Sequence, residues 1–292
     1  MKKKRYKQTF LIIAIFLFGV VNIYAETSKV DVQADSNVVA VVNGKTILYK
    51  EIKADQQIIQ LGYAEELVPA RMQLIVEEVE TKRLAAKIQK IVFEKKIFEL
   101  DITASEKEVN TRVEEMFRKV ELDPNQANEM IEIMRITVDA LEEWQENPSS
   151  ADAIYNQKLA SIISKEQWKT HQVCYNTPQK LKKMRRLIPT NIEDMKKNSR
   201  ASTRNDLLYE KLRNLITRDI LVSDIEISNA YKTKYSSLTE KPNLEHVRES
   251  LREEILFKKR QEKENVWWQN EYKKININII DERLKEASKP AL

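Results

Sequence analysis

Residues 38–52 read VVAVVNGKTILYKEI, two apolar runs on either side of Asn43-Gly44. Asn-Gly is the pair best suited to the two positive φ angles of a type I′ turn, so the stretch predicts a β-hairpin. Its first arm is apolar on both alternating faces, which requires cover on both sides, and two strands alone are marginal in water. The other period-2 run lies far along the chain, where Ile275, Ile277 and Ile279 alternate with Asn276 and Asn278 before Ile280 and Asp281. The pattern predicts that Ile275–Ile280 pairs with the hairpin and closes everything from Tyr49 to Lys274 into one excursion.

The excursion is helical by composition. Of 292 residues 42% are hydrophobic and 33% charged, and Gly19, Gly44 and Gly62 are the only glycines, so the last 230 residues have none. Phosphate-cradling loops, dinucleotide-binding turns and nucleophile elbows need glycine for positive φ or close backbone approach, which removes those functions. The expectation is a mainly α fold with a small N-terminal β-hairpin joined by a C-terminal strand.

Lys2, Lys3, Lys4, Arg5 and Lys7 precede the apolar run Phe10–Val21, and Ala25 closes a cleavage-like site. Residues 1–25 read as a secretory signal, with an uncleaved anchor as the alternative because Ile23 is bulky at the −3 position. No cysteine stands just after the run, so a lipoprotein is not expected. The full chain has 50 basic and 45 acidic residues; removing the five cations of the signal leaves 45 against 45. A nucleic-acid partner is therefore not expected, since binding phosphate calls for a lasting basic footprint. Cys174 is the only cysteine, so stability must come from packing. Its neighbour His171 is three residues away, on the same helical face, but two ligands make no metal site, and the pair reads as a partly buried thiol beside a surface histidine. With His171 and His246 the only histidines, no catalytic constellation emerges, and neither metal nor cofactor is expected.

Residues 26–37 are polar and read as a disordered linker. Lys50–Leu61 reads as a first helix ended by Gly62, and Pro69 opens a longer one, reaching about Lys96, whose stripe is Met72, Ile75, Val79, Leu84, Ile88 and Ile91. Ser105 and Glu108 form a capping box before Val109, Val113, Phe117 and Val120; Ser223 and Glu226 form another before Ile227 and Tyr231. Between them, Ala127, Ile131, Met134, Val138 and Leu141 make one stripe, and Ile154, Leu159, Ile162 and Ile163 a looser one. Thr177-Pro178 is a cap and first-turn pair before Leu181, Met184 and Ile188, and Thr190 with Glu193 offers another box. The basic run Lys182–Arg186 is either a solvated helix face or an anionic-surface patch. The apolar period returns at Leu207, Leu208, Leu212, Leu215 and Ile216, and Pro242-Asn243-Leu244-Glu245-His246-Val247-Arg248 opens a last long helix through Leu251, Ile255, Trp267 and Trp268.

Three of these features in this order resemble the SurA- and PrsA-type extracytoplasmic chaperones. They are the V-A-V-V-N-G strand-turn-strand at 39–44, the I-x-x-S-[DE]-x-E-[VI] helix starts at Ile102–Val109 and Ile220–Ile227, and the V-R-x-x-[IL] helix at Val247–Leu251 with its final strand. The likeness covers about residues 38–119 and 207–281. It implies a SurA-like N-terminal core at 38–123, with residues 206–281 returning to it and 282–292 as a tail. Residues 124–205 depart from the family as an inserted or extended helical arm. The prolyl isomerase domain of those families is missing, since only Ser236–Lys241 separates the last two helices. The resemblance implies a periplasmic, ATP-independent holdase for unfolded or partly folded exported polypeptides, outer-membrane proteins among them, without isomerase activity. Membrane proximity and oligomeric state stay open. An adaptor holding one folded partner and a degenerate isomerase are the competing classes. A holdase for varied clients needs adaptable apolar contacts, and an extended arm has little interior. Met116, Phe117, Met130, Met134, Trp144, Trp168 and Met184 are therefore the candidate client-binding residues, each competing with an ordinary place in a core.

Overall fold

A computed structural model describes residues 37–63, 66–120 and 122–288; the expected signal and nearly all of the expected linker lie outside them. Among the described residues the fold is mainly helical with one three-stranded sheet. Strands β1 (Val38–Val42) and β2 (Lys45–Leu48) form the hairpin, and β3 (Ile277–Ile279) pairs antiparallel with β1, giving the order β2-β1-β3. The register sets Ala40 against Ile279, Val41 against Asn278 and Val42 against Ile277. Asn43 and Gly44 take φ values of 49° and 79°, the left-handed pair that the turn demands. Asn43 also binds the C-terminal strand. Its N–H donates to the Asn276 carbonyl at 3.0 Å, and its side-chain oxygen accepts from the Asn276 N–H at 3.3 Å. Val39, Ala40 and Val42 are buried, so the apolar arm is covered on both faces.

The helices are α1 (Gln56–Leu61), α2 (Pro69–Glu99), α3 (Glu106–Lys119), α4 (Pro124–Glu146), α5 (Ala151–Ile154), α6 (Lys165–Cys174), α7 (Pro178–Leu187), α8 (Ile192–Thr217), α9 (Asp224–Lys234) and α10 (Leu244–Lys273). The chain divides into two compact units. The first takes 37–39, Ile47–Arg83 and Ser105–Arg204; the second takes Ala40–Thr46, Leu84–Ala104 and 205–288. Residues 124–204 are thus not an arm apart from the N-terminal segment but belong with most of it to one unit.

In the first unit the capping box Ser105/Glu108 is present, the Glu108 carboxylate accepting from the Ser105 N–H at 2.8 Å. It opens a helix that buries Val109, Val113 and Phe117. Asp123 with Gln126 and Ser164 with Gln167 form two further boxes. Thr190 departs from expectation. Asn191 is the residue whose side-chain oxygen accepts from the Asp194 N–H, at 3.0 Å, while the Asp194 carboxylate reaches back to the Thr190 N–H at 3.0 Å, so the start of α8 is shifted by one residue. The first helix is also later than its sequence suggests. Tyr49–Glu51 is one 3₁₀ turn, with the Glu51 carboxylate folded back onto the Leu48 N–H at 2.8 Å, and Asp55 caps a new start at Gln56. Buried Glu80 explains the break, because it accepts from the Tyr49 hydroxyl at 2.8 Å and from the Ala54 N–H at 3.1 Å and so holds the segment extended against α2.

The core of this unit joins Val138, Leu141, Ile154, Leu159, Trp168, Leu181 and Met184 from α4 to α7. Ile154 and Leu159 lie five residues apart and both face inward because Tyr155–Leu159 is a π-helical turn, closed by the Ala160 N–H on the Tyr155 carbonyl at 2.8 Å. This is the physical reason that their stripe looks loose at an α-helical period.

In the second unit Ser223 and Glu226 form the second expected box, and Ile227 behind it is buried. α9 packs on α10, where the Tyr231 hydroxyl donates to the Pro242 carbonyl at 2.6 Å and Lys234 pairs with Glu254 at 2.6 Å. Glu264, buried on α10, pairs with Arg213 at 3.0 Å and accepts from the Tyr209 hydroxyl, whose pKa burial and then Glu264 push up to about 12. Lys45 at the hairpin turn pairs with Glu94 at 3.0 Å.

Candidate functional site

Of the seven sequence candidates, five are core. Phe117, Met130, Met134, Trp168 and Met184 are buried, with Met130 at 0% and Trp168 at 1% exposure. The premise that residues 124–205 have little interior is overturned by the helices themselves, which pack α4 against α7 and against the π-turn and bury the stripe between them. Met116 is 39% exposed on α3. Trp144 is half-buried near the end of α4, its indole edge-on to Trp168 at 6.4 Å between ring centroids. Trp168 thus anchors Trp144 from below, as part of the core.

Trp144 lines an open groove of the first unit, about 1030 Å³ in volume. α1 supplies one wall with Gln56, Gln57 and Gln60. Asp55 fixes the start of that helix, its carboxylate accepting from the Gln57 N–H at 3.0 Å. Leu67 and the first turn of α2, with Pro69, Met72 and Gln73, make the second wall. The third is α6, presenting Lys169, Gln172 and Val173, with Asn176 just beyond its end. Six of the thirteen lining side chains are carboxamides, five are apolar, and Lys169 and Glu66 carry the only charges. That is a low charge density for a chain in which 33% of residues are ionic.

The groove amides already handle main chain. The Gln60 side-chain oxygen accepts from the Leu67 N–H at 2.9 Å and pins the wall. Behind the groove the Gln145 amide donates to the Tyr175 carbonyl at 2.7 Å. Across it, Asn176 Nδ2 and Gln57 Oε1 approach to 3.5 Å, the long limit of a hydrogen bond, while Lys180 holds Asn176 Oδ1 at 3.0 Å. Besides Trp144, the glutamine repeat of Asp55-Gln56-Gln57-Ile58-Ile59-Gln60 marks this site in the sequence, and it carries no methionine or aromatic residue.

His171 is half-buried rather than on the surface, stacked on Tyr175 at 6.2 Å, and burial pushes its pKa down to about 4. Burial likewise pushes the Cys174 thiol up, away from the thiolate that reactive cysteines need. Among the described residues no group of three or more His, Cys, Asp or Glu could hold a metal, and no helix is long and apolar enough to cross a membrane.

The second unit has its own cleft, about 560 Å³, lined by Ile220, Leu221 and Val266 with Asp219, Lys259, Glu262 and Lys263 around them. Leu221 is 81% exposed and Val266 56%. Lys259 donates to the Leu221 carbonyl at 2.8 Å, and Lys263 pairs with Asp219, so the apolar patch sits inside an internally neutralised rim. No protein-family model matches this chain, and neither a curated protein nor a solved structure does.

Proposed function

We propose that the protein is a SurA/PrsA-type periplasmic holdase, which binds unfolded or partly folded exported polypeptides without ATP and without prolyl isomerase activity. The observation that carries this reading is the open groove of the first unit, lined by Trp144 and other apolar side chains together with carboxamides and few charges. An adaptable mixture of this kind suits varied chains better than one shaped ligand. The order of the hairpin, the two capped helices and the final helix and strand supports the same assignment, and the basic and apolar run at residues 2–21 supports export. The open cleft at Leu221 and Val266 favours a second reading, an adaptor that holds one folded partner of the cell envelope.

Diluting an unfolded membrane β-barrel into buffer with the protein separates the two. A holdase lowers light scattering at near-stoichiometric ratio, and in a protease-coupled peptide assay it leaves the slow proline isomerisation at its uncatalysed rate. Scattering unchanged across a range of protein excess would sink the chaperone reading in favour of the adaptor.

A further inference from the structure

We infer that the groove of the first unit binds the main chain of its client rather than the client's side-chain sequence, and that the client lies there as one extended, unpaired segment. The inference rests on the chaperone reading and assigns its site. A carboxamide carries both a carbonyl acceptor and two N–H donors, the same complement that an extended peptide offers along each edge. Six such groups, Gln56, Gln57, Gln60, Gln73, Gln172 and Asn176, come from three separate stretches of chain and converge on one opening. Two pairings of this kind are already made by the protein's own backbone, Gln60 with the Leu67 N–H and Gln145 with the Tyr175 carbonyl.

The Gln57 and Asn176 pair is where a client strand enters. Their 3.5 Å contact is too long to be worth much. One residue of an extended strand lying alongside them presents its N–H and C=O on the same edge, so that it gives the N–H to Gln57 Oε1 and accepts from Asn176 Nδ2, adding two good hydrogen bonds beside the long one. Lys180 keeps Asn176 in the required orientation by holding its oxygen. Leu67, Met72, Trp144 and Val173 then receive alternate side chains of the strand, which point to one side with period 2. The charge pattern fits the same occupant. A main chain is neutral and dipolar, and the lining holds one cation and one anion, so neither basic nor acidic segments are preferred.

The test uses the full chain and a short labelled peptide of alternating valine and threonine, followed by fluorescence anisotropy. Binding should change by no more than about twofold between low and high salt, since no ion pair is formed. The same peptide N-methylated at alternate residues, which removes donors along one edge, should bind about tenfold more weakly. Gln57→Leu with Asn176→Leu, two exposed positions, should weaken the unmethylated peptide by a similar factor and leave the thermal midpoint unchanged. Equal binding of methylated and unmethylated peptide, or a double variant that binds like the parent, overturns the groove while aggregation suppression still stands. Loss of both peptide binding and aggregation suppression in the parent protein overturns the inference and the chaperone reading together.

Discussion

His171 shows how far one side chain can depart from its surface appearance. On sequence it is a polar residue in the last turn of an amphipathic helix; in the fold, burial against Tyr175 keeps its imidazole neutral down to about pH 4. The unfolded chain takes up that proton near 6.5, so between 6.5 and about 4 the unfolded state binds more protons and stability falls as pH falls. The full effect is at most about 3 kcal/mol by linkage. Denaturant titrations at pH 7 and pH 4.5 should give a smaller difference for His171→Gln than for the parent, and identical slopes in the two proteins would contradict a buried neutral imidazole. Glu271 acts in the same direction at lower pH. Burial raises its pKa, but Lys274 at 2.7 Å and Lys96 at 2.5 Å more than offset this and hold it below 4.5, so its contribution is lost as acid protonates it. The imidazole and the Glu271 carboxylate thus both contribute to acid sensitivity, and substitution of His171 removes the first alone.

At the scale of elements, the boundaries set by local chemistry are the ones that agree with the sequence. Ser223 and Glu226 satisfy each other's N–H groups within four residues, at 3.3 and 2.9 Å, and nothing distant is needed to read them. Ser223→Ala should cost about 1 kcal/mol, measured as a lower denaturation midpoint with an unchanged denaturant slope. An unaltered midpoint would mean that Lys259, which also pairs with Glu226 at 2.5 Å, fixes the start of α9 alone. The Asn43-Gly44 turn was legible for the same local reason. What escaped the sequence was set by partners far along the chain. The core face of α2 runs through Val76, Glu80, Leu84, Ile88 and Val92, with Met72, Ile75, Val79 and Ile91 only half-buried beside it. No periodic count places a glutamate at the centre of an apolar stripe; Glu80 is there because Tyr49 and Ala54 come to meet it. The groove escaped for a related reason, since its amides lie on α1, α2 and α6 and become a site only once these are packed. Trp144 lines the groove, whereas Phe117, Met130, Met134, Trp168 and Met184 are buried by packing between helices, which is not a local property of the sequence.

At the scale of the whole molecule, β3 bears on how the hairpin survives in water. β1 is the middle strand of the sheet, so removing β3 turns Val38–Val42, an unbroken apolar run, into an open edge. Such an edge loses its hydrogen-bond partners and also becomes a template for pairing with other chains. The segment beyond β3 adds a second effect, because the 3₁₀ stretch Glu282–Ser288 buries Leu284 at 0% and Ala287 at 1% exposure. Two truncations therefore separate the contributions. Ending the chain at Asp281 removes the buried leucine and should cost about 2–4 kcal/mol, the ordinary penalty for losing one large core side chain. Ending it at Lys274 removes the strand as well, and with it the Asn276 hydrogen bonds to Asn43 at the turn. The second truncation should show a further drop in thermal midpoint, faster amide exchange at Val41 and Asn43, and concentration-dependent aggregation that the first lacks. Hydrogen exchange at Val41 and Asn43, whose N–H groups face β3 in this register, is the deciding measurement. If those amides stay as protected in the shorter chain as in the longer one, β1 is held by β2 and the helices alone, and the C-terminal strand is not what secures the hairpin.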